Sequence, residues 1–215
     1  MNISEFDKIA LIDASGEPLK AGLFARGMPP KIASVGERAL EGLFDAIGQL
    51  CPSPRHLREV EAFAICAGPG SVLGVRAASA AVSTISKFTR AKIFAWDCME
   101  VAAAAIAMER GEFTLLAPSR KGFANMLNYR GKVEEYREIA IEEIGAAALP
   151  LKILLRQRAL PAPPFDGFDA FDLGIQTAFE TIMKNPALAA HAAQTPDAKT
   201  LTKREYAKWK AQAHI

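Results

Sequence analysis

Cysteine and histidine are both scarce, with three of each in 215 residues. Cys51, Cys66 and Cys98 stand far apart, and no pair has the CxxC spacing of a zinc site or redox motif. Unpaired, buried thiols in a reducing compartment are therefore expected. His56, His191 and His214 have no ligand partner at helical spacing, so no metal site is expected from them. Charge of one sign is equally short: the formal net charge is +2, too small to imply a strongly basic nucleic-acid-binding surface or an acidic partner. No apolar run reaches the roughly 18 residues of a membrane span, because the alanine-rich stretches stop at Lys87 and Glu109. Met1 to Asp7 lacks the basic-then-apolar order of a secretory signal. These absences lead to the expectation of a cytoplasmic protein with no membrane partner.

What is present is the composition of an ordinary globular chain, 50% hydrophobic and 23% charged, long enough for two lobes of about 100 residues each. Lys8 to Asp13 is a short apolar run ending in an acidic residue, and Ala14-Ser-Gly-Glu-Pro18 punctuates it as a turn. Lys20 to Arg26 and Lys31 to Val35 read as two more strands. Leu40, Leu43, Phe44 and Ile47 then recur at helical spacing between Glu37 and Leu50, and Pro52 and Pro54 end that helix. Glu61 to Ala67 reads as a buried strand, Leu73 to Phe88 as a helix, Lys92 to Asp97 as a strand and Met99 to Glu109 as a helix. Three consecutive strands can meander as antiparallel neighbours, whereas each later strand is reached through a helical crossover and pairs in parallel. The second half opens in the same way, with strands at Glu112 to Ala117, Phe123 to Tyr129 and Lys132 to Ile139. Lys152 to Arg156 is a further strand and Phe171 to Lys184 a helix. Pro161-Ala-Pro-Pro164 and Gly167 form a loop where a full copy would hold regular structure. The expected fold is α/β and ribonuclease-H-like, with a first lobe at 1–110 and a second, reduced lobe at 111–215 that ends in a basic tail.

The segment richest in chemical signal is Ala67-Gly-Pro-Gly-Ser-Val-Leu-Gly-Val-Arg76. Its glycines permit positive φ and close backbone approach, and the amides at the start of the following helix attract anions. Ser71 is placed to cap that helix, and Arg76 stands one turn in, able to answer a phosphate, a carboxylate or a carbonyl. The turn lacks the lysine and following hydroxyl of a P-loop, and its spacing is not the dinucleotide fingerprint. On spacing alone, a tight turn before a closely packed helix accounts for these residues at least as well as phosphate binding does. Asp13 reads as a strand-end turn aspartate or a metal-facing carboxylate, and Asp97 carries the same two readings. Glu134-Glu135 and Glu142-Glu143 read as solvated faces. Trp96 reads as core, and Tyr206 and Trp209, three apart, as the docking face of a terminal helix. The alanines at 77, 78, 80 and 81, and those at 102–105 and 107, leave two helices with small side chains that let helix axes approach closely.

Gly68-Pro-Gly-Ser-Val-Leu-Gly-Val-Arg76 resembles the GPGSFTGLR signature of the TsaB (YeaZ-type) family. Lys8 to Ser15 resembles that family's opening strand, with Asp13-Ala-Ser-Gly16 where DTST is usual. Ser119-Arg-Lys-Gly122 resembles the turn that opens its second lobe, and Pro196-Asp-Ala-Lys199 a common terminal segment. The chain departs from the pattern where Val72-Leu73 replaces Phe-Thr, where both threonines of DTST are lost, and at Pro118, where an acidic residue is usual. The resemblance implies an actin-like fold without catalytic activity of its own. It implies a partner role in threonylcarbamoyladenosine modification of tRNA, with a TsaD-like catalytic subunit and a TsaE-like ATPase as partners. A homodimer is a further option, tRNA would be met indirectly, and ATP or ADP would enter only at the level of the complex. The partner-binding residues it implies are Leu73, Arg76, Ala77, Ala80, Ala81 and Thr84. The weaker nucleotide-binding candidates are Asp13, Ser15, Gly68, Gly70 and Ser71. The alternative is a nucleotide-dependent enzyme or metallopeptidase-like hydrolase of the same superfamily.

Overall fold

The structure, a computed structural model, describes residues 1–36, 39–156, 168–192 and 196–198, those at 39–41 by backbone only. The loop expected at Pro161–Pro164 and Gly167, and the tail with Tyr206 and Trp209, lie outside these residues. The first lobe begins with β1 (Lys8–Asp13), β2 (Leu19–Ala25) and β3 (Lys31–Val35), an antiparallel meander. α1 (Ala39–Leu50) and the short α2 (Pro54–Arg58) lead to β4 (Ala62–Cys66). α3 (Val72–Thr89) then connects to β5 (Lys92–Trp96), and α4 (Cys98–Ala107) closes the lobe. β1, β4 and β5 are mutually parallel, as helical crossovers require.

The second lobe repeats the plan. β6 (Glu112–Pro118), β7 (Phe123–Arg130) and β8 (Val133–Ala140) form an antiparallel meander. After a 3-10 turn and the one-turn α5 (Ile144–Ala147), β9 (Lys152–Leu155) pairs in parallel with β6, and β10 (Asp169–Phe171) in parallel with β9. α6 (Ile175–Lys184) and β11 (Ala189–His191) follow. The sheet orders are β3-β2-β1-β4-β5-β11 and β8-β7-β6-β9-β10. The first five positions therefore match in order and direction, which makes the duplication a property of the fold and both lobes ribonuclease-H-like. Among the described residues, α5 is one turn where α1 has twelve residues.

Period-two alternation assigns each strand face to its core. Ala10, Ile12, Phe63 and Ile65 pack under α1 and α3. Ile9, Leu11, Ala62, Ala64, Phe94 and Trp96 face the other way, onto α4 and α6, and share that core with Phe113, Leu115, Leu127 and Ile153 of the second sheet. One hydrophobic core thus runs between the two sheets with α4 and α6 in its middle. The C-terminal elements belong to the first lobe as much as the second. β11 extends the first sheet, and Phe179 of α6 stacks on Phe24 of β2 at 3.8 Å.

Several sequence expectations change here. Pro54 starts a helix instead of only ending one: it occupies the first turn of α2 behind the Ser53 cap, where a missing N–H costs nothing. Phe44, expected on the inner stripe of α1, is 57% exposed, and Leu43, Ala46 and Leu50 face the core. The helix expected from Phe171 begins only at Ile175, because Asp169–Phe171 pairs with β9.

Candidate functional site

β4 ends at Cys66, and the glycine turn follows at the end of the sheet that also carries Asp13 and Asp97. Ser71 caps α3 as its position suggested, accepting from the Gly74 amide at 3.2 Å. Gly68 and Gly70 have φ of 107° and 156°, values that favour glycine. The turn lies directly on the loop after β1. The Ser71 amide donates to the Ser15 carbonyl at 2.7 Å. A Cβ on Gly70 would overlap that same carbonyl, and one on Gly74 would overlap the carbonyl of Ala14. Both glycines serve backbone-to-backbone packing.

The structure thus brings Asp13, Ser15, Gly70 and Ser71 together, but against one another. Ser15 is buried, and both its amide and its hydroxyl donate to Asp13 Oδ1, at 2.9 and 2.6 Å. Cys66 Sγ in turn lies 3.5 Å from Ser15 Oγ. A small cavity between the lobes here, lined by Asp13, Lys20, Cys98, Leu155, Arg156 and Leu173 among others, has a volume of about 20 Å³. Burial pushes the Cys66 thiol well above its ordinary range and raises that of Cys98 as well, so neither is a ready nucleophile. Among the described residues no group of three or more His, Cys, Asp or Glu is arranged to hold a metal ion.

Asp97 does more than end a strand. It caps α4, accepting from the amides of Met99 and Glu100 at 2.8 and 2.9 Å. Its carboxylate also receives the hydroxyl of Tyr136 from β8, 2.9 Å to Oδ2. Burial first, and then the Asp97 charge, push the Tyr136 phenol well above its ordinary range. Lys20 of β2 adds a second tie across the lobes, to Asp172 and to the Leu173 carbonyl. Sequence reasoning had no signal for Tyr136, whose role depends on the approach of the two sheets.

The expected partner residues divide cleanly. Leu73, Arg76, Ala80 and Thr84 are exposed on one stripe of α3, with Ala77 and Ala81 half-buried at its edges. Gly74, Val75, Ala78, Ser79 and Val82 form the buried stripe. Leu73 is 77% exposed and Phe88, at the other end of the same stripe, 80%. Arg76 is answered from within the chain: its Nε lies 3.2 Å from Asp197 Oδ1. The Ala198 amide and Arg76 together hold the Asp197 carboxyl below its usual range. The second alanine-rich helix, α4, is enclosed between the sheets, with Val101, Ala102, Ala103, Ala105 and Ile106 all buried. Its small side chains serve internal packing.

No protein-family model matches the sequence, and no curated protein is significantly similar to it. Solved structures are similar in fold. YeaZ from Pseudomonas aeruginosa superposes with a TM-score of 0.62 at 16% identity, over 91% of this chain and 100% of that one. A second structure, described as an uncharacterized protein with similarity to peptidase YEAZ from Pseudomonas aeruginosa, superposes with a TM-score of 0.60 at 17% identity, over 82% and 90%. The fold expected from the glycine turn and strand order is therefore the one observed, along nearly the whole chain. No helix among the described residues is long and apolar enough to cross a membrane.

Proposed function

We propose that this chain is a divergent TsaB-family member that acts as a noncatalytic partner in threonylcarbamoyladenosine modification of tRNA, binding and stabilising a TsaD-like catalytic subunit. The observation that carries this reading is the contrast between two surfaces. Between the lobes, Ser15 is buried and bonded to Asp13, and the cavity lined by Asp13, Lys20 and Cys98 has a volume of about 20 Å³. The outer stripe of α3 is open, with Leu73 at its start, small side chains at its centre and Arg76 and Thr84 among them. Leu73 is placed to enter a facing helix pair, while Ala77, Ala80 and Ala81 permit the axes to approach. In this reading ATP and the TsaE-like ATPase act on the assembled complex, and tRNA is met beside the catalytic subunit.

Co-expression with a TsaD homologue, followed by co-purification and light scattering, tests the proposal. A heterodimer is expected for the wild type. Ala80→Glu, which puts a charge at the closest approach of the helices, is expected to weaken it at least about tenfold, a cost of about 1.4 kcal/mol or more. Absence of any complex with the wild-type chain would overturn the reading. Heat released on mixing with ATP and magnesium would instead favour a nucleotide-dependent enzyme.

A further inference from the structure

The net charge of +2 conceals an uneven distribution. The register of the first sheet puts the start of β1 beside the starts of β4 and β5, since Ile9 pairs with Ala62 and Ala62 with Lys92. The end of β2, the start of β3 and the C-terminal end of α3 come to the same pole, opposite the glycine turn. This pole carries Lys8, Arg26, Lys31, Arg55, Arg58, Lys87, Arg90 and Lys92. Its nearby carboxylates are committed. Asp7 pairs with Arg26 at 2.9 Å, and Glu59 with Lys8 at 2.7 Å and with Arg55 at 3.5 Å. Glu61 accepts from the amides of Asp7 and Lys8. Among the described residues no carboxylate pairs with Lys31, Arg58, Lys87, Arg90 or Lys92, and all five are exposed. Phe88 shares this pole at 80% exposure, on the last turn of α3, the helix that α2 packs on.

We propose that this pole of the first lobe binds RNA directly, with Arg58, Lys87, Arg90 and Lys92 on the phosphate backbone and Phe88 stacked on an unpaired base. Free cations around a solvent-facing aromatic ring are the combination that single-stranded and looped nucleic acid recognises, phosphates supplying the affinity and the ring a surface for any base. The uncommitted charge also selects against a second copy of this chain, which would bring the same cations to the contact. The choice of RNA rests on the tRNA role proposed above, but the direct contact goes beyond it, because that role requires only a protein partner.

The test is fluorescence anisotropy of the isolated full-length chain with a labelled anticodon stem-loop RNA, across 50–200 mM salt. Binding that weakens with salt is expected. The triple variant Arg58→Gln, Lys87→Gln, Lys92→Gln removes three phosphate contacts and should flatten the slope of log affinity against log salt by about 2 to 3, with affinity near 0.1 M salt falling about tenfold or more. Phe88→Ala should weaken binding while leaving the slope unchanged. Circular dichroism and co-purification with the TsaD homologue check that the variants remain folded. No RNA binding by the wild type overturns the inference and leaves the partner reading standing. Equal binding by the triple variant overturns it also, moving the contact elsewhere. Loss of the protein partner with RNA binding intact would make the pole a protein interface and overturn it too.

Discussion

Gly74 offers the sharpest check on how the glycine turn is used, because two effects of opposite sign meet there. It lies in the first turn of α3, and helix preference alone makes alanine better than glycine by about 1 kcal/mol. A Cβ at this position, however, would overlap the Ala14 carbonyl oxygen and stand 3.3 Å from Ser71 Oγ. The obstruction is backbone, held by the packing of Ala14 and Ser15, so no rotamer change relieves it. Overpacking at such a site costs about 1–3 kcal/mol, leaving a net loss of up to about 2 kcal/mol after the helix preference is offset. For a chain of this length that lowers Tm by up to about 8 °C. Gly48, on the exposed side of α1, has nothing within 4 Å of its would-be Cβ. Gly48→Ala should therefore stabilise by about 0.5–1 kcal/mol and raise Tm by about 1–4 °C. Thermal and urea unfolding followed by circular dichroism compares the pair. A rise in both would refute the close packing of the turn on the 14–15 loop.

Tyr136→Phe removes a hydrogen bond to a buried carboxylate and should cost about 1.5–3 kcal/mol in urea unfolding at pH 8. Because the phenol is raised in the folded state, its contribution is present below its unfolded pKa of about 10 and is lost as pH climbs beyond that. Wild-type stability should accordingly fall more steeply than that of the variant between pH 9 and 11, and parallel curves would refute the tie. Thr114 is buried, donates to Asn128 and accepts from the Leu149 amide at 2.7 Å. Thr114→Val should cost about 2–4 kcal/mol by orphaning both partners, whereas Thr114→Ser should recover most of it; equal losses would show that the methyl group matters instead. Cys51, Cys66 and Cys98 are buried with raised thiol pKa values, so a thiol reagent at pH 8 should label none of them rapidly until denaturant is added, and fast labelling of the native protein would contradict that burial.

Most of the fold was legible because its signals are local. Continuous apolar runs at Lys8 to Asp13 and Glu61 to Ala67, turns at Gly122 and Gly131, and the capped glycine turn each fix an element without reference to the rest of the chain. The positive φ at Gly122 and Gly131 is what those turns require. The misses share a different origin. β10 and β11 are three residues each, too short for alternation to register, and they are strands only because β9 and β5 offer open edges. Phe44 faces outward although its spacing fits the inner stripe, since Leu43, Ala46 and Leu50 already fill the space beneath α1. Pairing partners and filled volume are tertiary facts, and a single sequence does not carry them.

The candidate site was legible in composition and illegible in sense, for a reason that follows from what glycine does. A phosphate loop needs glycines so that backbone can approach a ligand; a packed turn needs them so that backbone can approach backbone. Gly70 and Gly74 satisfy the second need, with the carbonyls of Ser15 and Ala14 where a Cβ would otherwise stand. Alanine is ambiguous in the same way. α3 and α4 are both rich in it, yet α4 has sheets on both sides whereas α3 has a sheet on one side only. Small side chains state that something comes close, and only the placement of the helix states whether that neighbour belongs to the same chain. For α4 it does. For the outer stripe of α3, where Leu73 stands open and Asp197 meets Arg76, the neighbour is the partner subunit proposed above.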